Sequence, residues 1–252
     1  MHLQLLQNEL VKTKNTPAFW ITLIGSAFLP MMLGIAYLNE WVKFIRNTSE
    51  NPWLDYYARL VNGLCIVTPL FICLVVALIF NVEHKSQGWK LVFTLPVSKP
   101  AIFIHKWLLV TGIIVLYYLL FLLFSIVIAM ILGAIHPEFK FLQNRPDSRE
   151  VMLAVLKSFA CNMGILAIQF WLSFRIKSVV TTLGIGIAAV ITGLLAKDST
   201  HTHLFAYVDP FKMLGYFYRP HIFWENYVWV SLTYFIVISV LSYFDFTRRF
   251  NG

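Results

Sequence analysis

The chain has 252 residues, 59% of them hydrophobic and only 13% charged, whereas soluble domains average about 45–50% apolar and about 25% charged. One buried core cannot absorb that excess, which excludes an ordinary water-soluble domain. The net charge of +8 is spread over short loops between apolar blocks, which suits anionic lipid head groups and excludes the continuous basic face that nucleic acid requires.

Residues 1–16 (MHLQLLQNELVKTKNT) place Leu3, Leu6 and Leu10 on one helical face, predicting a short amphipathic helix in the membrane interface. The apolar run 19–38 exceeds a signal-peptide core and is long enough to cross a bilayer, so it is read as an uncleaved first span. Further apolar blocks follow at 60–80, 107–131, 151–174, 179–196 and 227–244. Each has the length that covers roughly 30 Å of hydrocarbon at about 1.5 Å per residue. The expected fold is all-α: a single transmembrane domain over 1–252 with six transmembrane helices.

Blocks four and five are joined only by Arg175-Ile176-Lys177-Ser178, which predicts a tight hairpin. Their small residues, Ala160, Gly164 and Ala167 against Gly184, Gly186, Ala188, Ala189 and Gly193, predict close packing of these two helices on each other. Lys157, near the start of block four, is expected to snorkel toward the interface. The stretch 197–226 is aromatic and interrupted by Asp209-Pro210 and Arg219-Pro220. It reads as two short amphipathic segments dipping into the interface. Its Phe205, Tyr207, Phe211, Tyr216 and Trp224 are candidates for contact with an amphipathic substrate. The basic residues divide evenly between the two sides, so counting them does not orient the chain.

Several chemistries lack their residues. There is no G-x-x-x-x-G-K-[ST] phosphate loop, no H-E-x-x-H and no G-x-S-x-G. No Asp or Glu lies near the centre of an apolar block; Asn62, Asn81, Asn162 and Gln169 are the strongest polar groups there. Ion-coupled carriers and proton pumps ordinarily need an ionisable group at that depth, whereas Asn and Gln bond across helices. Cys65, Cys73 and Cys161 fall inside apolar blocks without C-x-x-C spacing and read as small buried hydrophobes. His136, His201, His203 and His221 read as solvated side chains. The chain is expected to hold no catalytic residue, metal or cofactor of its own.

The segment Val82-Glu83-His84-Lys85-Ser86-Gln87-Gly88-Trp89-Lys90-Leu91-Val92-Phe93-Thr94-Leu95-Pro96-Val97-Ser98-Lys99-Pro100 reads as a short amphipathic helix, a proline stop and a restart. Glu83 is expected at the helix N-terminus, where it complements the dipole. Trp89, Val92 and Phe93 share a face. Pro96 ends the helix, Ser98 caps the next one, and Pro100 occupies its first turn. A rigid reversal of this kind makes a lever between two spans.

These residues carry a resemblance. The E-H-K-x-x-G-W-K opening, the L-P-V-S-K turn, Lys106 at the start of the third span, the opening Glu9-Leu10-Val11-Lys12-Thr13-Lys14 and the segment from Gln169 to Ser178 are similar to the permease subunits of ABC-2 type transporters. Within them, the lantibiotic-protection and bacitracin-resistance-like branch is the most similar. Gly88 stands where many relatives carry another polar residue. The resemblance implies a multi-pass protein of the bacterial cytoplasmic membrane with both termini inside. It implies docking on a cytosolic ABC ATPase, which binds ATP and Mg, through a coupling helix at 83–96, with Glu83, His84, Lys85, Trp89, Lys90, Leu95 and Pro96 as the coupling residues. It also implies pairing with a second, identical or related permease, and export or expulsion of a hydrophobic or amphipathic substrate such as an antimicrobial peptide or lipid-like molecule. The residues taken alone leave open a six-span scaffold without transport activity and an ion-coupled secondary transporter.

Overall fold

The computed structural model describes residues 17–40, 51–85, 99–199, 202, 204–218 and 222–249, with only the backbone at 83 and 249. The expected interfacial helix at 1–16 lies outside these residues, as does most of the coupling segment. The described residues form α1 (Pro17–Asn39), α2 (Pro52–Lys85), α3 (Lys99–Ile135), α4 (Ser148–Arg175), α5 (Val179–Leu195) and α6 (Asn226–Arg249), with short 3-10 turns and no strand. Five of these, all but α5, are long and apolar enough to cross a membrane. α5 has 17 residues, about 26 Å at 1.5 Å per residue, slightly less than the hydrocarbon thickness. α2 and α3 run well past the expected apolar blocks, to 34 and 37 residues; Pro52 and Pro100 sit in their first turns, where a helix tolerates proline.

The helices have the polarity of a membrane bundle. On α1 the inward face carries Ala18, Thr22, Ser26, Gly34 and Tyr37, while Trp20, Ile24, Phe28, Met31 and Ile35 point outward. Small and hydroxyl-bearing residues allow close helix contact, and large apolar ones suit lipid. The Thr22 hydroxyl donates to the Ala18 carbonyl at 2.7 Å, so it is satisfied within its own helix. α2 is the central helix, in contact with α1, α4 and α5. α1 also lies along α3, and α4 along α6.

The expected mutual packing of blocks four and five is only partly realised. At Gly186 a side chain would collide with the Gln169 amide and with Cys73 Sγ, so α5 rests there on both α4 and α2. Gly164 faces α6 instead: a Cβ there would meet the Ser231 carbonyl oxygen and Tyr234 Cβ, each at 3.1 Å. The Ser231 side chain reinforces that contact, accepting from Gly164 N at 3.0 Å and lying 2.9 Å from the Ala160 and Cys161 carbonyls. The four-residue connection turns the chain quickly, but it does not make α4 and α5 best partners, since α4 has two longer neighbours to choose from.

Candidate functional site

The two ends of the bundle differ. At one end lie the last turn of α2, the first turns of α3, and the C-termini of α4 and α6. Here the structure corrects the reading of Glu83: it belongs to the last turn of α2, not the first turn of a new helix. No residue between Asn81 and Lys85 breaks helix, and His84 and Lys85 suit the negative end of the α2 dipole. Trp89, Lys90, Leu95 and Pro96 lie outside the described residues. Lys85 is exposed. Pro100 does sit in the first turn of α3, as expected.

His84 reaches across to α4, with Nε2 2.9 Å from the Ser173 carbonyl oxygen. A carbonyl only accepts, so His84 donates from Nε2. Ser173 is among the last residues of α4, whose terminal carbonyls lack partners within the helix; His84 supplies one. Two residues on, Arg175 Nη1 donates to Asp245 Oδ2 of α6 at 3.0 Å, and Trp171 Nε1 donates to the same oxygen at 3.0 Å. The Arg175 guanidinium also lies 5.6 Å from the Trp171 ring centre. Beneath this polar layer is an aromatic cluster. Phe170 of α4 has ring centres at 5.0 Å from Phe80 of α2, 5.5 Å from Phe103 of α3 and 4.6 Å from Trp107. Phe103 in turn meets Tyr243 and Phe246 of α6, each at 5.6 Å. Both anchors of the 86–98 segment, Lys85 and Lys99, are therefore continuous with helices bound to α4 and α6. Lys106, at the start of the third block, is buried within this end.

The opposite end is the aromatic end. Trp53 Nε1 donates to the Phe141 and Asn144 carbonyls, both at 3.0 Å, folding the loop after α3 down onto the start of α2. Asp147 caps α4, accepting from Arg149 N and Glu150 N, because a carboxylate at that position satisfies amides that the helix leaves free. The connection from α5 to α6 does contain two short segments, the 3-10 turns Asp209–Met213 and Tyr216–Tyr218. Asp209–Met213 is buried in the bundle, whereas Tyr216–Tyr218 turns Tyr216 inward and leaves Tyr218 exposed. Tyr207, Phe211 and Tyr216 are buried, Phe205 is half-buried, and Trp224 is exposed. Burial raises the phenol pKa of Tyr207 and of Tyr216. Gly215 N donates to Asn62 Oδ1 at 2.8 Å, from a φ of 79° that a residue with a side chain rarely adopts. Of the candidate aromatics, Trp224 is thus the one that presents a surface; it stacks on exposed Trp229 with ring centres 4.8 Å apart.

Lys157 departs from expectation. Its side chain is 1% exposed, so it does not snorkel. Nζ donates to the Ile222 carbonyl at 2.6 Å, pairs with Glu225 Oε2 at 3.2 Å, and lies 5.2 Å from the Tyr216 ring centre and 5.0 Å from that of Tyr227. Asp209, half of the Asp209-Pro210 break, is a buried carboxyl in the bundle end, pushed up to about 8 by loss of solvent against a smaller opposing effect from Lys212. A scan for acids inside apolar blocks misses it, because it arrives on a connecting segment. Its only sequence signal is an acid-proline pair set in the apolar run YVDPF. Among the described residues no group of His, Cys, Asp or Glu could hold a metal ion.

The family model for "ABC-2 family transporter protein" matches residues 5–193, well over half of the chain. No curated protein and no solved structure matches it.

Proposed function

The chain belongs to the ABC-2 family of transporter proteins, and from that premise we propose that it is the permease subunit of an ATP-driven exporter in the bacterial cytoplasmic membrane. In this reading α5 completes a six-span bundle, both termini and residues 86–98 face the cytosol, and a separately encoded ATPase docks on that segment. ATP and Mg bind to the ATPase. A second permease completes the transporter, and the cargo is an amphipathic or hydrophobic molecule, as in the lantibiotic-protection and bacitracin-resistance-like branch.

One observation carries the reading: the two ends of the 86–98 segment run into helices tied to α4 and α6 by the His84–Ser173 bond and the Phe103–Phe170 cluster. A push on the segment would be delivered to the bundle as a body, since close-packed interiors transmit strain. The exposed Trp224–Trp229 pair supports the cargo class, because indole suits molecules at the boundary of lipid and water.

The test compares Trp89→Ala and Pro96→Ala at matched membrane expression. Trp89→Ala removes an aromatic anchor, a truncation that at hot spots costs about 2 kcal/mol or more, and should reduce co-purification of the ATPase. Pro96→Ala should leave docking intact and uncouple hydrolysis from export. Wild-type docking, hydrolysis and export from both variants would make the segment an ordinary interfacial helix and remove it as the lever for ATPase coupling.

A further inference from the structure

The Asp209–Met213 turn is wedged among α2, α4, α5 and α6. Asp209 is fully buried there, and among the described residues neither carboxylate oxygen has a hydrogen-bond partner. The neighbouring Tyr207 hydroxyl is likewise buried without one among the described residues. α5 closes the site from its side so tightly that a side chain at Gly193 would run into the Tyr207 carbonyl.

Among the described residues, the ionisable groups around Asp209 offer little to a negative charge. From α4 it meets the field of Cys161, which also feels Cys65 of α2, Lys157 and Glu225. α5 contributes no ionisable side chain. Lys157 is already held by Glu225 and the Ile222 carbonyl. Lys212, on the same turn, favours the ionised form, but it is half-exposed and burial outweighs it.

We propose that Asp209 is a proton-binding site that latches residues 205–218 into the aromatic end of the bundle. With the proton bound, the carboxyl is neutral and the turn stays seated on α4. When the proton leaves to water, the carboxylate must be hydrated, and hydration requires the segment to lift. The sign follows from linkage: the seated form holds its proton up to about pH 8, whereas a solvated Asp loses it near pH 4. Seating is therefore strongest below about pH 4, weakens by up to about ten-fold per pH unit between those values, and levels off above them. The latch is independent of the ATPase.

Cys161 is the built-in reporter, since it is buried in the same cluster as Met213 and Tyr216. The full chain in lipid nanodiscs is treated with maleimide at pH 6 and pH 8, and modification of Cys161 is followed by peptide mapping. Asp209→Asn, treated identically, cancels the pH dependence of the thiol reaction. The ratio of wild-type to variant labelling rate should rise about ten-fold or more from pH 6 to pH 8. A flat ratio would overturn the proposal. Should Asp209→Asn fail to fold, infrared difference spectra of the wild type serve instead: a protonated carboxyl band lost between pH 7 and 9 is expected, and its absence would equally overturn the site.

Discussion

A lysine ammonium withdrawn from water needs its hydration shell replaced, and Lys157 is given a carbonyl, a carboxylate and two ring faces. Removing one partner leaves a buried charge uncompensated, which in buried pairs costs about 3–5 kcal/mol. Glu225 is partly solvent-exposed, so Glu225→Gln should fall at or below the lower limit of that range. The expected readout is a clear drop in thermal midpoint in detergent, with Lys157→Met combined with Glu225→Gln recovering much of it. Equal losses from the single and double variants would show that the pair does not act as a unit. His84→Ala removes one partner of an orphan helix-end carbonyl. It should cost about 1 kcal/mol of stability and reduce export more than ATPase docking, as measured by transport and co-purification.

At the scale of elements, helix contacts in lipid depend on how closely backbones approach. Gly164 meets α6 through the Ser231 carbonyl and Tyr234, whereas a Cβ at Gly184 has nothing within 4 Å. Gly164→Val should therefore destabilise by roughly 1–3 kcal/mol, and Gly184→Val should be close to neutral in the same melting assay. Equal effects would mean that side-chain volume, not the α4–α6 approach, is being measured. Sequence alone marked both glycines as packing residues on adjacent blocks. It could not choose between α5 and α6 as the partner of α4, because small-residue spacing says that a helix comes near without saying which one.

At the scale of the whole molecule, the chain reverses so that His84, Arg175 and Asp245 meet at one end while Trp53, Phe141, Lys157 and Glu225 lie toward the other. In a background lacking Cys65, Cys73 and Cys161, a cysteine replacing Ser199 should react with impermeant maleimide in whole cells. A cysteine replacing Ser86 should react only after lysis. Labelling in the reverse order would put the 86–98 segment on the outer surface and remove the basis for ATPase docking there.

The membrane class and helical architecture followed from the sequence, because an apolar block long enough to cross a bilayer is a local property that needs no partner. The same holds for the α3 start at Lys99-Pro100, set by residues within one turn. The helix N-terminus expected at Glu83 did not follow: carboxylate chemistry suggested it, but a helix already running through Asn81 continues until something stops it. Lys157 and Asp209 show what tertiary structure alone decided. A lysine near a span end and an acid before a proline look solvated in a linear reading. Only the placement of 204–218 and 222–225 against the bundle encloses them, pairing one and isolating the other, because burial is a property of what lies opposite in space.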